Sequence, residues 1–231
     1  MKDALIVLSG GLDSTTMLYE YQYRIGMAVS FHYGSNHNDR ELEFAKLHCE
    51  RLGIPHLVIR LPFIKQFFKS SLLEGADAIP EGNYDEQNMK STVVPFRNGI
   101  MLSIAAGIAE NNKMQYVMLA NHAGDHAIYP DCREESVNMA RELFRISNWD
   151  SELVEYNAPF VNYTKSEVLG KGLDAMKALG LTKTQTGKVL KNTMSCYNAT
   201  PDGKACGKCG TCTERIEAFR DNGIEDPIQY V

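Results

Sequence analysis

Apolar positions along this chain fall into short runs separated by longer amphipathic stretches. Residues 4–8 form a continuous apolar run closed by Ser9-Gly10-Gly11, the pattern of a buried strand ending in a tight loop. A helical pattern covers about residues 13–23, and residues 28–33 read as a second strand closed by Gly34. Residues 40–52 carry Leu42, Ala45, Leu47 and Cys49 among charges, which predicts an amphipathic helix. A third strand over 56–61 follows Gly53 and Pro55. Strands alternating with helices at this spacing predict βαβ units, right-handed crossovers and a mostly parallel, doubly wound α/β sheet. In such a fold the site lies at the carboxyl ends of the strands.

Residues 62–91, with Gly75, Pro80, Gly82 and Asn83 scattered through them, predict an irregular loop that serves as a lid or is partly disordered. The apolar stretch 100–109, interrupted by Ser103 and Gly107, fits a buried helix, predicted over 98–111. Strands near 116–119 and 154–156 flank a helix over 132–144 that starts after the turn at Pro130. Thr164-Lys165-Ser166-Glu167 has the form of a capping box opening a short helix. Residues 192–210 are turn-rich, and 215–221 predict a closing helix.

At 231 residues the chain fits one domain with an ample core, residues 1–231 being read as a single unit. Its 24 basic and 29 acidic residues leave a net charge of −5, which argues against a protein whose work is gripping a phosphate backbone directly. The apolar runs are too short for a signal core or a membrane span, so a cytoplasmic protein without a membrane partner is expected.

The loop after the first strand is the first segment with chemical content. In Ser9-Gly10-Gly11-Leu12-Asp13-Ser14-Thr15-Thr16 a glycine pair lets backbone N–H groups converge on an anion, and the following helix N-terminus adds partial positive charge. Ser9, Ser14 and Thr15 add hydroxyl donors. No Gly-Lys-Ser/Thr follows, so this is not a Walker A loop, nor is it a G-x-G-x-x-G dinucleotide fingerprint. Asp13 either caps the helix or organises phosphates and magnesium.

Four of the six cysteines, Cys196, Cys206, Cys209 and Cys212, crowd near the C-terminus, with glycines between them that free the backbone to turn the thiolates inward. Four thiolates suit one structural tetrahedral zinc, and an iron–sulfur cluster is the competing metal. Residues 192–215 form the metal-binding segment of the domain under this reading.

The six positions of Ser9 to Ser14 look like the S-G-G-x-D-S signature of the PP-loop ATP pyrophosphatases. Together with the cysteines, with Val94-Pro95-Phe96-Arg97-Asn98, Tyr129-Pro130-Asp131-Cys132-Arg133, Thr164-Lys165 and Thr193-Met194-Ser195-Cys196-Tyr197, and with the ending from Ala205 through Cys212 to Arg215, the whole chain resembles the 7-cyano-7-deazaguanine synthase family. The resemblance implies a Rossmann-like PP-loop fold and a ligase of queuosine and 7-deazapurine biosynthesis. Its small-molecule substrates would be 7-carboxy-7-deazaguanine, ammonia and ATP, with Mg2+ beside ATP and one structural zinc per chain. A homodimer is in keeping with it.

By the same resemblance, ATP would be held along Leu8, Ser9, Gly10, Gly11, Leu12, Asp13, Ser14, Thr15, Thr16, Met17 and Leu18. Ser9, Asp13, Ser14, Arg97 and Lys165 would carry catalysis. Arg97, Asn98, Tyr129, Asp131 and Arg133 would meet the acid substrate, an acidic group being suited to a guanine-like N1–H and 2-amino edge. Asp131 and Arg133 also read as an ordinary ion pair, His122 and His126 as polar loop residues, and Cys132 as an inert buried thiol.

The chain departs from the family pattern at Leu12, at Tyr33-Gly34-Ser35-Asn36-His37 and at residues 121–126. Two alternatives stand beside this reading: another PP-loop ligase acting on a different acceptor, tRNA-modifying or defence-associated, and a zinc-knuckle nucleic-acid-binding module.

Overall fold

The computed structural model of the protein describes residues 2–83, 87–149 and 154–231. Among them five strands form one parallel sheet: β1 (Ala4–Val7), β2 (Ile25–His32), β3 (His56–Arg60), β4 (Tyr116–Met118) and β5 (Glu155–Asn157). Their order is β3-β2-β1-β4-β5, so the chain winds outward from β1 and then returns to its other side. The reversal between β1 and β4 opens a crevice at the carboxyl ends, as the parallel reading requires.

Strand periodicity divides the core. Leu5 and Val7 point to one face, with Val29, Phe31 and Val117. Ala4, Ile6 and Leu8 point to the other, with Ala28 and Met118. On the first face lie α4 (Arg97–Asn111) and α5 (Glu134–Ser147), contributing Met101, Ala105, Val137 and Phe144. On the second lie α1 (Leu12–Glu20), α2 (Asn38–Leu52) and α6 (Lys165–Ala178), contributing Met17, Ala45 and Val168. The apolar stretch inside α4 is thus the core-facing side of a buried helix, as its sequence predicts.

The capping box at Thr164 is present: Glu167 N–H donates to Thr164 Oγ1 at 3.2 Å, and Thr164 N–H donates to Glu167 Oε2 at 2.7 Å. The helix it opens is 14 residues long rather than short. A helix not read from the sequence, α7 (Lys183–Lys191), follows with its own box, Thr182 and Gln185. The closing helix, α8 (Gly210–Asp221), starts five residues before the predicted 215, because Cys209 is its N-cap and Cys212 sits in its first turn.

The predicted lid over 62–91 is packed structure where it is described, residues 84–86 lying outside the described residues. It contains α3 (Pro62–Phe67) and a 3-10 helix at Gln87–Thr92. Leu72, Leu73 and Met89 are buried, and Ser70 Oγ donates to Thr92 O at 3.0 Å. Gly82 N–H donates to Lys208 O at 3.0 Å, tying the segment to the cysteine region. Its scattered turn residues lie in the exposed and half-buried stretch 74–83, between the buried anchors Leu72, Leu73 and Met89.

Candidate active site

A cleft of about 190 Å³ opens at the carboxyl ends of β1, β2 and β4. One side of it is the loop between β1 and α1. Gly10 has φ +90°, and a Cβ there would meet the Glu41 backbone oxygen on α2; a Cβ on Gly11 would lie 3.0 Å from Met194 O. Gly10 is required both by its left-handed φ and by the close backbone of α2, whereas Gly11, extended at φ −74°, is constrained by the close approach of Met194 O alone. Met194 N–H donates to Gly10 O at 2.9 Å, so the cysteine-bearing segment braces the loop directly.

Ser9 Oγ and Ser14 Oγ lie 3.0 Å apart, and accept from Gly11 N–H at 3.1 Å and Gly10 N–H at 3.2 Å. Leu8, Ser9, Gly11, Leu12, Asp13 and Ser14 line the cleft. The rest of the predicted ATP stretch does not. Gly10 shapes the turn, Thr15 and Thr16 are buried, and Met17 and Leu18 belong to the core, because the helix that starts at Leu12 rotates them away. Thr16 packs where a Cβ on Gly172 of α6 would have to go.

Asp13 caps nothing; the N-cap of α1 is Gly11. Its Oδ2 lies 3.3 Å from Lys165 Nζ and 3.8 Å from His122 Nε2, and its Oδ1 is buried without a hydrogen-bond partner among the described residues. Burial opposes the charge on Asp13, but Lys165 and His122 outweigh it and hold the carboxyl below its ordinary range. Lys165, at the first position of α6, is buried and also pairs with Glu214 Oε2 at 3.2 Å. Burial would depress it, yet Asp13, Glu214 and Asp125 raise it above the usual lysine value, so it stays charged.

His122 and Glu214 are contributions the sequence reading missed. His122, read as a polar loop residue, has its Nδ1 accepting from Gly124 N–H at 3.1 Å and its almost fully buried ring facing Asp13 and Asp125.

The opposite wall is assembled from separate elements. Arg97 opens α4 just after Phe96, whose left-handed φ of 53° turns the chain into the helix. Arg97 Nη1 donates to Tyr33 OH at 3.2 Å. Burial opposes its charge, but Tyr33, Tyr197, Tyr129 and Asp131 hold it well above the ordinary arginine value.

Asn98 and Tyr129 also line the cleft, whereas Asp131 and Arg133 do not. Asp131 Oδ2 accepts from Asn98 N–H at 3.0 Å, capping α4, and Arg133 Nε donates to His126 O at 2.8 Å. The predicted ion pair between them is replaced by these two contacts, and the acids that line the cleft are Asp13, Glu41 and Asp125. Cys132 lines the cleft and accepts from Asn98 Nδ2 at 3.1 Å; burial pushes its thiol well up, which suits the inert role.

Of the departures from the family pattern, Leu12 lines the cleft. Ser35 and Asn36 pair instead with the segment around Leu72 and Leu73, and His37 is the residue of that stretch, with Tyr33, that reaches the cleft.

Below the cleft, the sulfur atoms of Cys196, Cys206, Cys209 and Cys212 lie within 4.8 Å of one another. Backbone N–H groups donate to them, Cys206 N–H to Cys196 Sγ at 3.2 Å and Cys209 N–H to Cys206 Sγ at 3.4 Å. The cluster can hold a single metal ion. From it runs α8, whose Glu214 touches Lys165. The adjacent Arg215, fully buried, pairs with Asp226 at 2.7 Å and donates to Thr193 Oγ1 and Ser195 Oγ at 2.8 and 3.0 Å. Both contacts fix the strip 193–195 that braces the glycine loop.

A model of the family described as queuosine biosynthesis protein QueC matches residues 3–223. The 7-cyano-7-deazaguanine synthase of Porphyromonas gingivalis is 50% identical over 99% of this chain and 97% of its own. The enzymes of that name from Desulfotalea psychrophila and Caldicellulosiruptor saccharolyticus are 46% and 43% identical, covering 100% and 98% of this chain and 100% and 95% of theirs. A solved NMN synthetase from Francisella tularensis is a distant likeness, with a TM-score of 0.44 and 14% identity over 97% of this chain and 78% of that one.

Proposed function

This chain belongs to the queuosine biosynthesis protein QueC family, and on that premise we propose that it converts 7-carboxy-7-deazaguanine, ammonia and ATP to 7-cyano-7-deazaguanine. The observation that carries the reading is the pairing of a glycine-serine loop and helix N-terminus with the charged Lys165–Asp13 pair in one strand-end cleft. A carboxylate oxygen is a poor leaving group until it bears AMP. The substrate carboxylate attacks the α-phosphorus of ATP and pyrophosphate departs. Ammonia then attacks the acyl carbon, AMP leaves, and loss of a proton gives the amide. A second ATP places AMP on the amide oxygen; loss of the two N–H protons and AMP leaves the nitrile.

In this scheme Ser9, Ser14 and the amides at the start of α1 bind the departing pyrophosphate, and Lys165 offsets the charge that develops on it. The free Oδ1 of Asp13 fits a Mg2+ ion carried on the phosphates. Arg97 and Asn98 meet the acid substrate across the cleft. The four thiolates fit one zinc: sulfur atoms within 4.8 Å match the tetrahedron set by Zn–S bonds of about 2.3 Å, and four protein ligands leave no open position. That zinc supplies folding energy to the strip behind the loop. Residues 1–231 act as one unit in this scheme, with 192–215 as its metal segment. A homodimer belongs to the same reading, supported by the exposed apolar stripe Met139, Leu143, Ile146 and Trp149 along and just past α5. Leu143→Glu should then yield monomers in sedimentation.

Incubation with 7-carboxy-7-deazaguanine, ATP, magnesium and ammonium should give AMP, pyrophosphate and the nitrile by mass spectrometry, with AMP absent when the acid is withheld. ADP and phosphate would refute the adenylation scheme. An amide that accumulates without dehydration, or another nucleophile replacing ammonia, would make this a different PP-loop ligase.

A further inference from the structure

The guanine half of a 7-deazaguanine acid presents two parallel donors, N1–H and the 2-amino group, and a carboxylate is the side chain that matches both at once. Three acids line the cleft: Asp13, Asp125 and Glu41. Asp13 is committed to Lys165 and the phosphate loop. Asp125 accepts from His122 N–H at 3.1 Å and lies in the field of Lys165. Glu41 touches neither Lys165 nor the phosphate loop; its one side-chain hydrogen bond among the described residues is from Asn38, and Arg97 acts on its charge from beyond salt-bridge distance.

Its setting is built rather than incidental. Asn38, almost fully buried, uses its Oδ1 to accept from the N–H groups of Tyr33, Gly34 and Ser35 at 2.9, 3.1 and 3.1 Å. That leaves its Nδ2 aimed at Glu41 Oε2, 3.2 Å away, so one oxygen of the carboxyl is held in place by a residue itself fixed to the backbone. The Glu41 side chain is 14% exposed and lines the cleft. His37 lies 3.8 Å from Oε2 and stacks on Tyr197, ring centroids 5.2 Å apart. Tyr33, with the Arg97 guanidinium 5.7 Å from its ring centroid, and Tyr197 also line the cleft. No cation within salt-bridge distance satisfies Glu41 among the described residues except the imidazole of His37, which burial and then Arg97 push down to about 3 and so keep uncharged. A largely desolvated carboxyl beside aromatic side chains, fixed by an amide and with no charged cation at salt-bridge distance among the described residues, is a receptor for polar N–H groups supplied from outside.

We propose that Glu41, positioned by Asn38, is the residue that reads the N1–H and 2-amino edge of the 7-deazaguanine substrate and sets its specificity. The inference rests on the deazapurine reading of this cleft and replaces Asp131, which the fold spends on capping α4.

The test compares kcat/KM for 7-carboxy-7-deazaguanine with that for its analogue lacking the 2-amino group. Wild-type enzyme should prefer the amino compound by on the order of 10³-fold, since a site built for a donor is left with an unpaired acceptor when the donor is missing. In the isosteric Glu41→Gln variant, checked for an unchanged melting temperature, the preference should shrink to within about tenfold, with KM for ATP moving less than about threefold. Asn38→Ala should show a weaker version of the same change. An unaltered preference with both substrates falling together, or a rise in KM for ATP in place of the lost preference, would overturn the assignment. A parallel calorimetric measurement uses 7-deazaguanine and 7-deazahypoxanthine as probes and needs no turnover. If the wild type makes no nitrile yet binds 7-deazaguanine tightly and loses that preference in Glu41→Gln, the reaction reading has failed and this one stands; equal binding of the two probes by the wild type sinks it.

Discussion

The two sides of the cleft are built in opposite ways. The side proposed to hold the phosphates comes, apart from Lys165 of α6, from one continuous stretch, Ser9 to Ser14, in which each residue's place follows from a strand end, a glycine turn and the first turn of a helix. The facing side draws Tyr33, His37 and Glu41 from the β2–α2 connection and helix, Arg97 from the start of α4, Tyr129 from the turn after β4, and Tyr197 from beside the first metal-segment cysteine. A common step repeated in every turnover can be served by a compact local device. Recognition of one heterocycle needs groups arriving from several directions, which only the assembled fold supplies.

The comparison is least secure where the local device leans on distant structure, and the largest effect is expected there. Met194 sits on Gly10 and Gly11, and Glu214 touches Lys165, and both belong to the chain pinned by the four cysteines. If the cluster holds the proposed structural zinc, stripping it with a chelator, or Cys212→Ser, should lower the melting temperature sharply and reduce ligase activity by more than about 10³-fold, because such a zinc contributes on the order of 10 kcal/mol to its segment. Metal analysis with a melting curve and a turnover assay checks both. An apo protein with normal turnover would show the loop to be self-sufficient.

Next in size come changes within the loop itself. Ser9→Ala and Asp13→Ala remove groups that the proposed scheme aims at the phosphates and should each cost roughly 10²- to 10³-fold in kcat while leaving the fold intact. Binding of the deazapurine, measured by calorimetry, should be nearly unchanged, since that function sits on the other side. Equal losses in turnover and deazapurine affinity would mean the two sides are not separable.

This division also explains what could be read from the sequence. The parallel sheet, the loop and the four cysteines were legible because each is coded by local spacing: an apolar run of strand length, Ser9-Gly10-Gly11, and Cys-x-x-Cys steps. The Thr164–Glu167 box was legible for the same reason, and the Thr182–Gln185 box carried the same signal without being read. Asp131 and Arg133 show the limit. The family resemblance and the fit of an acidic group to a guanine edge suggested the pocket, but the 3-10 turn at Pro130–Cys132 brings Cys132 and Tyr129 inward and leaves Asp131 to meet the N-terminus of α4. His122, Glu214 and Glu41 carry no local mark at all. They become recognisable only when α2, α8 and the loop after β4 converge on one cleft.

A smaller effect is expected on the assembled side at Arg97. Arg97→Lys keeps the charge but loses the planar fork and its bond to Tyr33. It should reduce kcat/KM for the carboxylated substrate by about 10- to 100-fold with KM for ATP little changed. A rise confined to the KM for ATP would move Arg97 to the nucleotide and redraw the boundary between the two sides.

The smallest and most discriminating effect is in pH. Burial raises the Glu41 carboxyl to about 8, with Arg97 and the Asn38 hydrogen bond acting against the rise. The free site is therefore largely protonated at neutral pH. Two N–H donors from a deazaguanine favour the ionised carboxylate, so binding should release a proton. The sign follows: affinity is full above about pH 8 and falls as pH drops below it, approaching tenfold per unit. The facing groups do not confuse this window, for Arg97 stays charged and His37, pushed down to about 3, stays neutral throughout it. In the unliganded protein the same shift runs the other way for stability. A carboxyl raised in the folded state protects the fold at low pH and loses that contribution as pH climbs from the ordinary glutamate range toward 8. Wild-type apo protein should thus melt earlier at pH 8 than at pH 6 relative to Glu41→Gln, while deazaguanine binding strengthens over the same interval only in the wild type. Calorimetry in buffers of different ionisation enthalpy reads the released proton directly. A proton released equally by the Gln variant would place the titrating group elsewhere on the wall.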